Sequence, residues 1–292
     1  MAETTNWKLT LAYDGSGFHG WQIQSDHSGL ATIQGTLSNA LARLTGERTL
    51  PQGSGRTDAG VHALAQVVSF RLSAPVPPAN LQRALNGILP AGIRVLSAEI
   101  ASPNFHARHS ARSKTYEYRI FERRIRHTPS QPAEERICSP ILAPYAWDCR
   151  WPLKLDAMQQ AASLLLGTLD FTSMAATDPD RSQRDADDAD SPRSTIRINP
   201  VKTITHASWT LTPSPDRLLI FRIAGNGFLH HMVRNIVGTL VEVGRGSLDA
   251  QDVPRILDAR DRMAAGPTAP ARGLYLVEVL YDDASPSGEV RP

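Results

Sequence analysis

Between Phe228 and Leu240 the chain is apolar around most of a helical circumference, yet Arg234 stands in the middle of it. A helix apolar on most sides is a buried one. Burying a guanidinium is costly unless an opposite charge and hydrogen bonds meet it. The fold must therefore bring a carboxylate to Arg234, pair it with Glu242, or let the long side chain reach the surface. Asp58 is the most interesting carboxylate. It lies in Gly53-Ser54-Gly55-Arg56-Thr57-Asp58-Ala59-Gly60-Val61-His62-Ala63, where three glycines fall within eight positions. Such a backbone can take shapes that larger residues forbid and can lie close against a ligand. It presents Arg56 and Asp58 two residues apart. The same run also reads as a plain turn between two strands, with Asp58 accepting backbone N–H bonds. A phosphate-cradling loop is disfavoured, because its lysine and Ser/Thr are missing.

Periodicity places the remaining elements. Residues 7–13 alternate as a half-buried strand does, and Asp14-Gly15-Ser16-Gly17 breaks them. Thr32 caps a helix with Ile33, Leu37, Leu41 and Leu44 on its apolar face and Gly46 as its stop. Strands are expected at 66–72, 93–100 and 114–121, with a short helix through Leu81, Leu85 and Ile88. The Pro-rich 127–152 breaks regular structure. A helix at 155–166 follows, then strands at 201–211 and 217–224, helices at 229–243 and 250–260, and a last strand, Leu274–Tyr281. Strand, Gly15-Ser16-Gly17-Phe18 and helix recur as strand, Gly225-Asn226-Gly227-Phe228 and helix. Two related α+β halves sharing one sheet around a cleft explain the echo, and so does chance. The expected organisation is an N-terminal α+β half at 1–125, a connector at 126–154, and a C-terminal α+β half at 155–284. An inserted acidic loop at 177–194 and a disordered tail at 285–292 complete it.

Charge narrows the partners. The total is nearly balanced, 31 Lys+Arg against 29 Asp+Glu, but residues 177–190 hold six aspartates against two arginines. From Phe105 to Arg126 seven basic residues face two glutamates, with Phe105, Tyr116, Tyr118 and Phe121 interleaved. Basic groups neutralise phosphates and aromatic faces stack on exposed bases; scattered arginines on a solvated strand are the plainer reading. Tyr116, edged by Arg112, Lys114 and Arg119, could offer a face to a base taken out of its stack, or could be a core tyrosine. Cys138 and Cys149 are too few for a disulfide framework. His230 and His231 invite a metal, but no Glu-x-x-His pattern or third ligand accompanies them. No secretory signal or membrane span is expected, and a reducing cytoplasm is the default location.

Taken together, Tyr13-Asp14-Gly15, Gly20-Trp21-Gln22, Gly55-Arg56-Thr57-Asp58-Ala59-Gly60-Val61-His62, Phe105-His106-Ala107-Arg108, Tyr116-x-Tyr118, Asp170-Phe171-Thr172-Ser173, His231-Met232-Val233-Arg234-Asn235 and Gly273-Leu274-Tyr275-Leu276 resemble the tRNA pseudouridine synthase A family. They stand in that family's order over about residues 8–281. The resemblance implies an α+β fold: two similar halves joined in one mostly antiparallel sheet flanked by helices, around a basic central cleft, in a homodimer. It implies isomerisation of uridine to pseudouridine at positions 38, 39 and 40 of the tRNA anticodon stem-loop. That reaction breaks the glycosidic C–N bond and joins the same sugar carbon to C5, so no atoms enter or leave and no cofactor or metal is expected.

The resemblance also assigns roles. Asp58 matches the catalytic aspartate, Tyr116 the tyrosine that stacks on the target base, Arg234 the arginine paired with the aspartate, and Arg56 the arginine that helps flip the base. Phe105, His106, Ala107, Arg108 and His109, with Arg112 beside them, match one RNA-contacting segment. Asp170, Phe171, Thr172, Ser173 and Met174 match another. Met174 stands where the family commonly has Phe, and Lys202-Thr203-Ile204 where it has Arg-Thr-Ile; lysine keeps the charge but loses the fork geometry. Competing readings are a non-catalytic RNA-binding or RNA-folding protein on the same scaffold, or the same reaction at other tRNA uridines.

Overall fold

The computed structural model describes residues 4–23, 31–125, 134–177, 199–213 and 216–282. Of the acidic loop at 177–194 only Thr177 is among them; the rest of that loop and the tail at 285–292 lie outside. In chain order the strands are β1 (Thr5–Tyr13), β2 (Gln52–Gly53), β3 (His62–Leu72), β4 (Ile93–Ile100), β5 (Ala111–Glu122), β6 (Arg124–Ile125), β7 (Glu134–Glu135), β8 (Trp147–Cys149), β9 (Gly167–Asp170), β10 (Val201–Leu211), β11 (Leu218–Gly225) and β12 (Leu274–Tyr281). The helices are α1 (Ile33–Thr45), α2 (Pro78–Ile88), α3 (Leu155–Ser163), α4 (Met232–Arg245) and α5 (Asp252–Ala259). The chain divides into two compact units: residues 1–115 with 275–292, and residues 116–274. Among the described residues no helix is long and apolar enough to cross a membrane.

The first unit is built on a sheet of order β4-β1-β3-β12. Alternation along β1 buries Trp7, Leu9, Leu11 and Tyr13. β3 and β4 flank β1 antiparallel, setting Trp7 against Phe70 and Ile100. The Thr32 hydroxyl accepts from the Gly35 N–H at 3.2 Å, and Gly46, at φ +74°, ends α1 in the left-handed conformation. Those two residues are the expected cap and stop. β3 departs from simple alternation, because Gln66 through Phe70 are all buried. Residues 105–110 cover its second face: the Ala107 N–H donates to the Ser69 hydroxyl at 3.0 Å. β12 returns late in the chain to lie parallel to β3, with Tyr275 opposite His62.

In the second unit β10 pairs antiparallel with both β11 and β9. The expectation that residues 127–152 lack regular structure is corrected at Trp147–Cys149, which add a parallel strand beside Ile120–Glu122. The long apolar helix begins at Met232, three residues later than its apolar pattern suggests. His231 has φ +58°, and a left-handed residue cannot continue a right-handed helix. Gly246, at φ +83°, stops the helix after Arg245. Each unit is thus an antiparallel-dominated sheet with helices, the α+β class expected.

Candidate active site

In the first unit the glycine-rich run links β2 to β3, and nearly every residue of it is tied down. The Ser54 N–H donates to the Val67 carbonyl at 2.7 Å, the Thr57 carbonyl accepts from the Trp21 N–H at 2.9 Å, and the Asp58 carbonyl accepts from the Val61 N–H at 3.1 Å. The last bond closes a turn whose third residue, Gly60, has φ +78°. That is the position where a side chain would be strained. Gly20 supports the turn from the other side: a Cβ there would lie 2.7 Å from the Thr57 carbonyl oxygen. Asp58 is therefore presented, half-buried, from a turn with little backbone freedom.

Beneath the turn lies a buried polar cluster. The Gln66 amide nitrogen donates to the Gly55 carbonyl at 2.8 Å and to the Tyr13 hydroxyl at 3.3 Å. The Tyr13 hydroxyl lies 2.8 Å from the Thr57 hydroxyl, and the Ser54 hydroxyl donates to the Gln66 amide oxygen at 2.6 Å. Burial pushes the Tyr13 phenol up to about 12, against the opposing hydrogen bonds of Thr57 and Gln66. His62 is buried and stacked on Tyr275 at 4.7 Å. Its Nδ1 sits 3.1 Å from the Gly15 N–H and 3.2 Å from an Asp14 carboxylate oxygen.

The segment expected to contact RNA, residues 105–109, is a tight turn laid on the same sheet. The Asn6 amide donates to the Ser102 and Phe105 carbonyls at 2.7 and 2.9 Å. His106 Nδ1 accepts from the Arg108 N–H at 3.1 Å, and the His106 and His109 rings approach to 4.3 Å. Ala107 is fully buried, whereas Arg108 is half-buried and His109 exposed. The Phe105 ring lies 5.0 Å from Tyr281, with the Lys8 ammonium 5.7 Å from its centroid. Arg112 is exposed and ion-paired with Asp282, its Nε donating at 2.7 Å.

In the second unit Tyr116 is buried and meets Phe228 edge to face at 5.0 Å. Arg234 is half-buried near the start of α4, and its Nε–H donates to the Ala269 carbonyl at 2.8 Å. Glu242, the alternative partner weighed above, is bonded instead to Arg245 at 3.1 Å. The neighbouring Pro270 carbonyl accepts from the Tyr118 hydroxyl at 2.7 Å. Burial raises the Tyr118 phenol well above its ordinary value, although the charges of Arg234 and Arg272 oppose that shift. The His230 and His231 rings stack at 3.9 Å.

Residues 170–174 are built into this unit. Phe171, Ser173 and Met174 are buried. The Ser173 hydroxyl donates to the Ile256 carbonyl at 2.6 Å, and the Met174 carbonyl accepts from the Asn235 amide at 2.9 Å. Asp170 accepts from the Thr172 hydroxyl at 2.6 Å and lies 3.1 Å from Arg260. The Thr172 bonds, first its hydroxyl, hold the Asp170 carboxyl below its ordinary range. Thr172 and Asp170 are the members left partly accessible. Lys202 is half-buried, and that burial pulls its ammonium below the ordinary lysine value.

Three residues escaped the sequence reading as individuals. Gln66 is a polar residue on the β3 face that Val68, Phe70 and Leu72 fill, and that polarity is the signal that finds it. Asn235 is buried on α4 and accepts from Thr268 at 2.7 Å and Arg262 at 3.1 Å. Tyr281, whose hydroxyl donates to the Ala107 carbonyl at 2.7 Å across 174 positions, has no local signal.

Comparison with known proteins matches the residues that build both units. A family described as tRNA pseudouridine synthase matches residues 10–132 and 161–282. A tRNA pseudouridine synthase A of Solibacter usitatus is 44% identical over 275 residues, covering 94% of this chain and 98% of that protein. Those of Moorella thermoacetica, 42% identical over 275 residues, and Lacticaseibacillus casei, 39% identical over 280, cover 94% and 95% of this chain and 98% and 100% of their own lengths. With identity of this level spread over nearly the whole length, the chain belongs to the tRNA pseudouridine synthase A family of isomerases.

Proposed function

We propose that this chain isomerises uridine to pseudouridine at positions 38, 39 and 40 of the tRNA anticodon stem-loop, with Asp58 as nucleophile and without a cofactor. The observation that carries the reading is the Gly55-Arg56-Thr57-Asp58 run, held at Ser54, Thr57 and Asp58 by main-chain bonds and at Gly55 by Gln66. A nucleophile delivered from so constrained a turn loses little freedom in the transition state. The carboxylate attacks either C1′ of the ribose or C6 of the base; the C1′–N1 bond breaks and the C1′–C5 bond forms. The C5 proton leaves, N1 gains one, and the net composition is unchanged. In this reading Asp58 also removes the C5 proton.

The remaining roles belong to the same proposal. Tyr116 offers its ring to the displaced base, Arg56 fills the space that base leaves, and Arg234 supplies positive charge to the reacting centre. Residues 105–109 and 112 contact RNA, with residues 170–174 supporting a second contact. The family resemblance adds a homodimer acting in the cytoplasm. The test is incubation of the purified protein with unmodified tRNA transcripts in metal-free buffer, followed by chemical adduct mapping. Pseudouridine at positions 38–40 is the expected result. Tight tRNA binding without any pseudouridine would mark an RNA-binding protein on this scaffold, and pseudouridine confined to other positions would move the substrate site.

A further inference from the structure

The first unit contains a buried hydrogen-bond chain that the reaction itself does not require. Its centre is Gln66, fully buried on β3. An amide nitrogen can only donate, so the Tyr13 hydroxyl must accept from Gln66. The Tyr13 proton is then directed to the Thr57 hydroxyl 2.8 Å away. The other amide proton goes to the Gly55 carbonyl, and the amide oxygen receives the Ser54 proton. Arg56 is thus gripped on both sides, at the Gly55 carbonyl and at the Thr57 side chain, and Asp58 follows directly.

We propose that Gln66, Tyr13 and Thr57 are positioning residues: a continuous buried chain that fixes the Arg56–Asp58 turn. This rests on the reading of Asp58 as nucleophile. Buried polar networks specify a single arrangement when every member is satisfied, and lose it when one is removed. Mispositioning a reactive group by about 1 Å costs rate by roughly 10²-fold, while binding dominated by phosphate contacts is little affected. The chain therefore acts on kcat and leaves KM and tRNA affinity nearly unchanged. Burial holds the Tyr13 phenol protonated at neutral pH, so the pH–rate profile keeps its shape while its height falls.

The test measures single-turnover rate and tRNA affinity for Tyr13→Phe, Thr57→Val and Thr57→Ser. Leu85→Ala, a fully buried position on α2, controls for lost stability. Tyr13→Phe and Thr57→Val should lose about 10- to 100-fold in rate with wild-type affinity. Thr57→Ser, which keeps the hydroxyl, should recover the rate. Leu85→Ala should lower the melting temperature without lowering the rate at 25 °C. Wild-type rates for Tyr13→Phe and Thr57→Val, or an equal rate loss in Leu85→Ala, would overturn the inference. Asp58→Asn run alongside separates the two claims. An active Asp58→Asn overturns the nucleophile reading. An inactive one beside unimpaired network variants overturns only the positioning chain.

Discussion

Arg234 and Ala269 exchange two hydrogen bonds. The arginine Nε–H donates to the Ala269 carbonyl at 2.8 Å, and the Ala269 N–H donates to the Arg234 carbonyl at 3.1 Å. The side chain is thereby fixed against the same residue that its own backbone carbonyl holds. Tyr118, bonded to the next carbonyl, anchors that peptide from the strand side. A guanidinium held by Nε cannot rotate about its stem, which gives one of the longest side chains in the protein a defined direction.

The approach depends on Gly238. A Cβ at that position would sit 1.6 Å from the Pro267 carbonyl oxygen, an overlap of backbone and not of a movable side chain. Gly238→Ala should therefore cost at least the ~1–3 kcal/mol typical of overpacking and push residues 267–269 off the helix. Melting temperature and kcat should fall together. An unchanged melting temperature would show that this packing is not tight.

Arg234→Lys retains the charge but removes the Nε–H that Ala269 accepts. Lysine carries a point charge on a flexible stem in place of a planar fork. We expect kcat to fall by about 10²-fold, the scale for losing one preorganised donor, with tRNA affinity near wild type. Full activity in Arg234→Lys would reduce the role of Arg234 to charge alone.

Arg112 stands in a basic stretch, yet a carboxylate already occupies it. The hydrogen bond from Arg112 keeps the Asp282 carboxyl below its ordinary value, so the pair stands at neutral pH. RNA phosphate must compete with Asp282 for the same guanidinium. Asp282→Asn should tighten tRNA binding and steepen the salt dependence, and Arg112→Ala should flatten it by roughly 0.7–0.9 in log–log slope. Filter binding across a salt series measures both. Identical slopes in all three proteins would exclude Arg112 from the RNA contact.

Asp170 links stability to pH. Its carboxyl is lowered first by the Thr172 hydroxyl and also by Arg260, so the folded state favours the ionised form. That stabilisation is fully present above the ordinary carboxylate value of 3.8 and is lost as pH falls through the lower folded value. Asp170→Asn should lower stability by on the order of 1 kcal/mol at pH 7 and 5. The gap should close towards pH 3 and below. Urea midpoints across that range report it, and a gap independent of pH would contradict the assignment.

Local signals carried the elements well. Thr32 and Gly46 bound α1, and the alternation of Trp7, Leu9, Leu11 and Tyr13 marks β1, because caps and burial periods are written in neighbouring residues. The glycine-rich run reads as a turn for the same reason, and the Val61 N–H to Asp58 carbonyl bond closes one there. The start of α4 departs from the periodicity because Phe228 and Leu229 continue the apolar pattern while His231 adopts a left-handed backbone, which periodicity does not sense. The return of β12 beside β3, the Tyr118–Pro270 bond and the Tyr281–Ala107 bond join residues over 150 positions apart. Such pairings arise from topology, and no window along the chain contains them. Phe171, Ser173 and Met174 matched a motif without revealing that their side chains face inward.

The central claim is that Asp58 performs the isomerisation on tRNA. Pseudouridine formation must expel the C5 hydrogen, so tRNA carrying tritium at C5 of its uridines releases label to water with each turnover. Wild-type protein should release tritium in proportion to the pseudouridine mapped at positions 38–40. Asp58→Asn should release none above background while binding tRNA within about tenfold of wild type, since affinity rests mainly on phosphate contacts. Sustained tritium release by Asp58→Asn over several turnovers would contradict the claim.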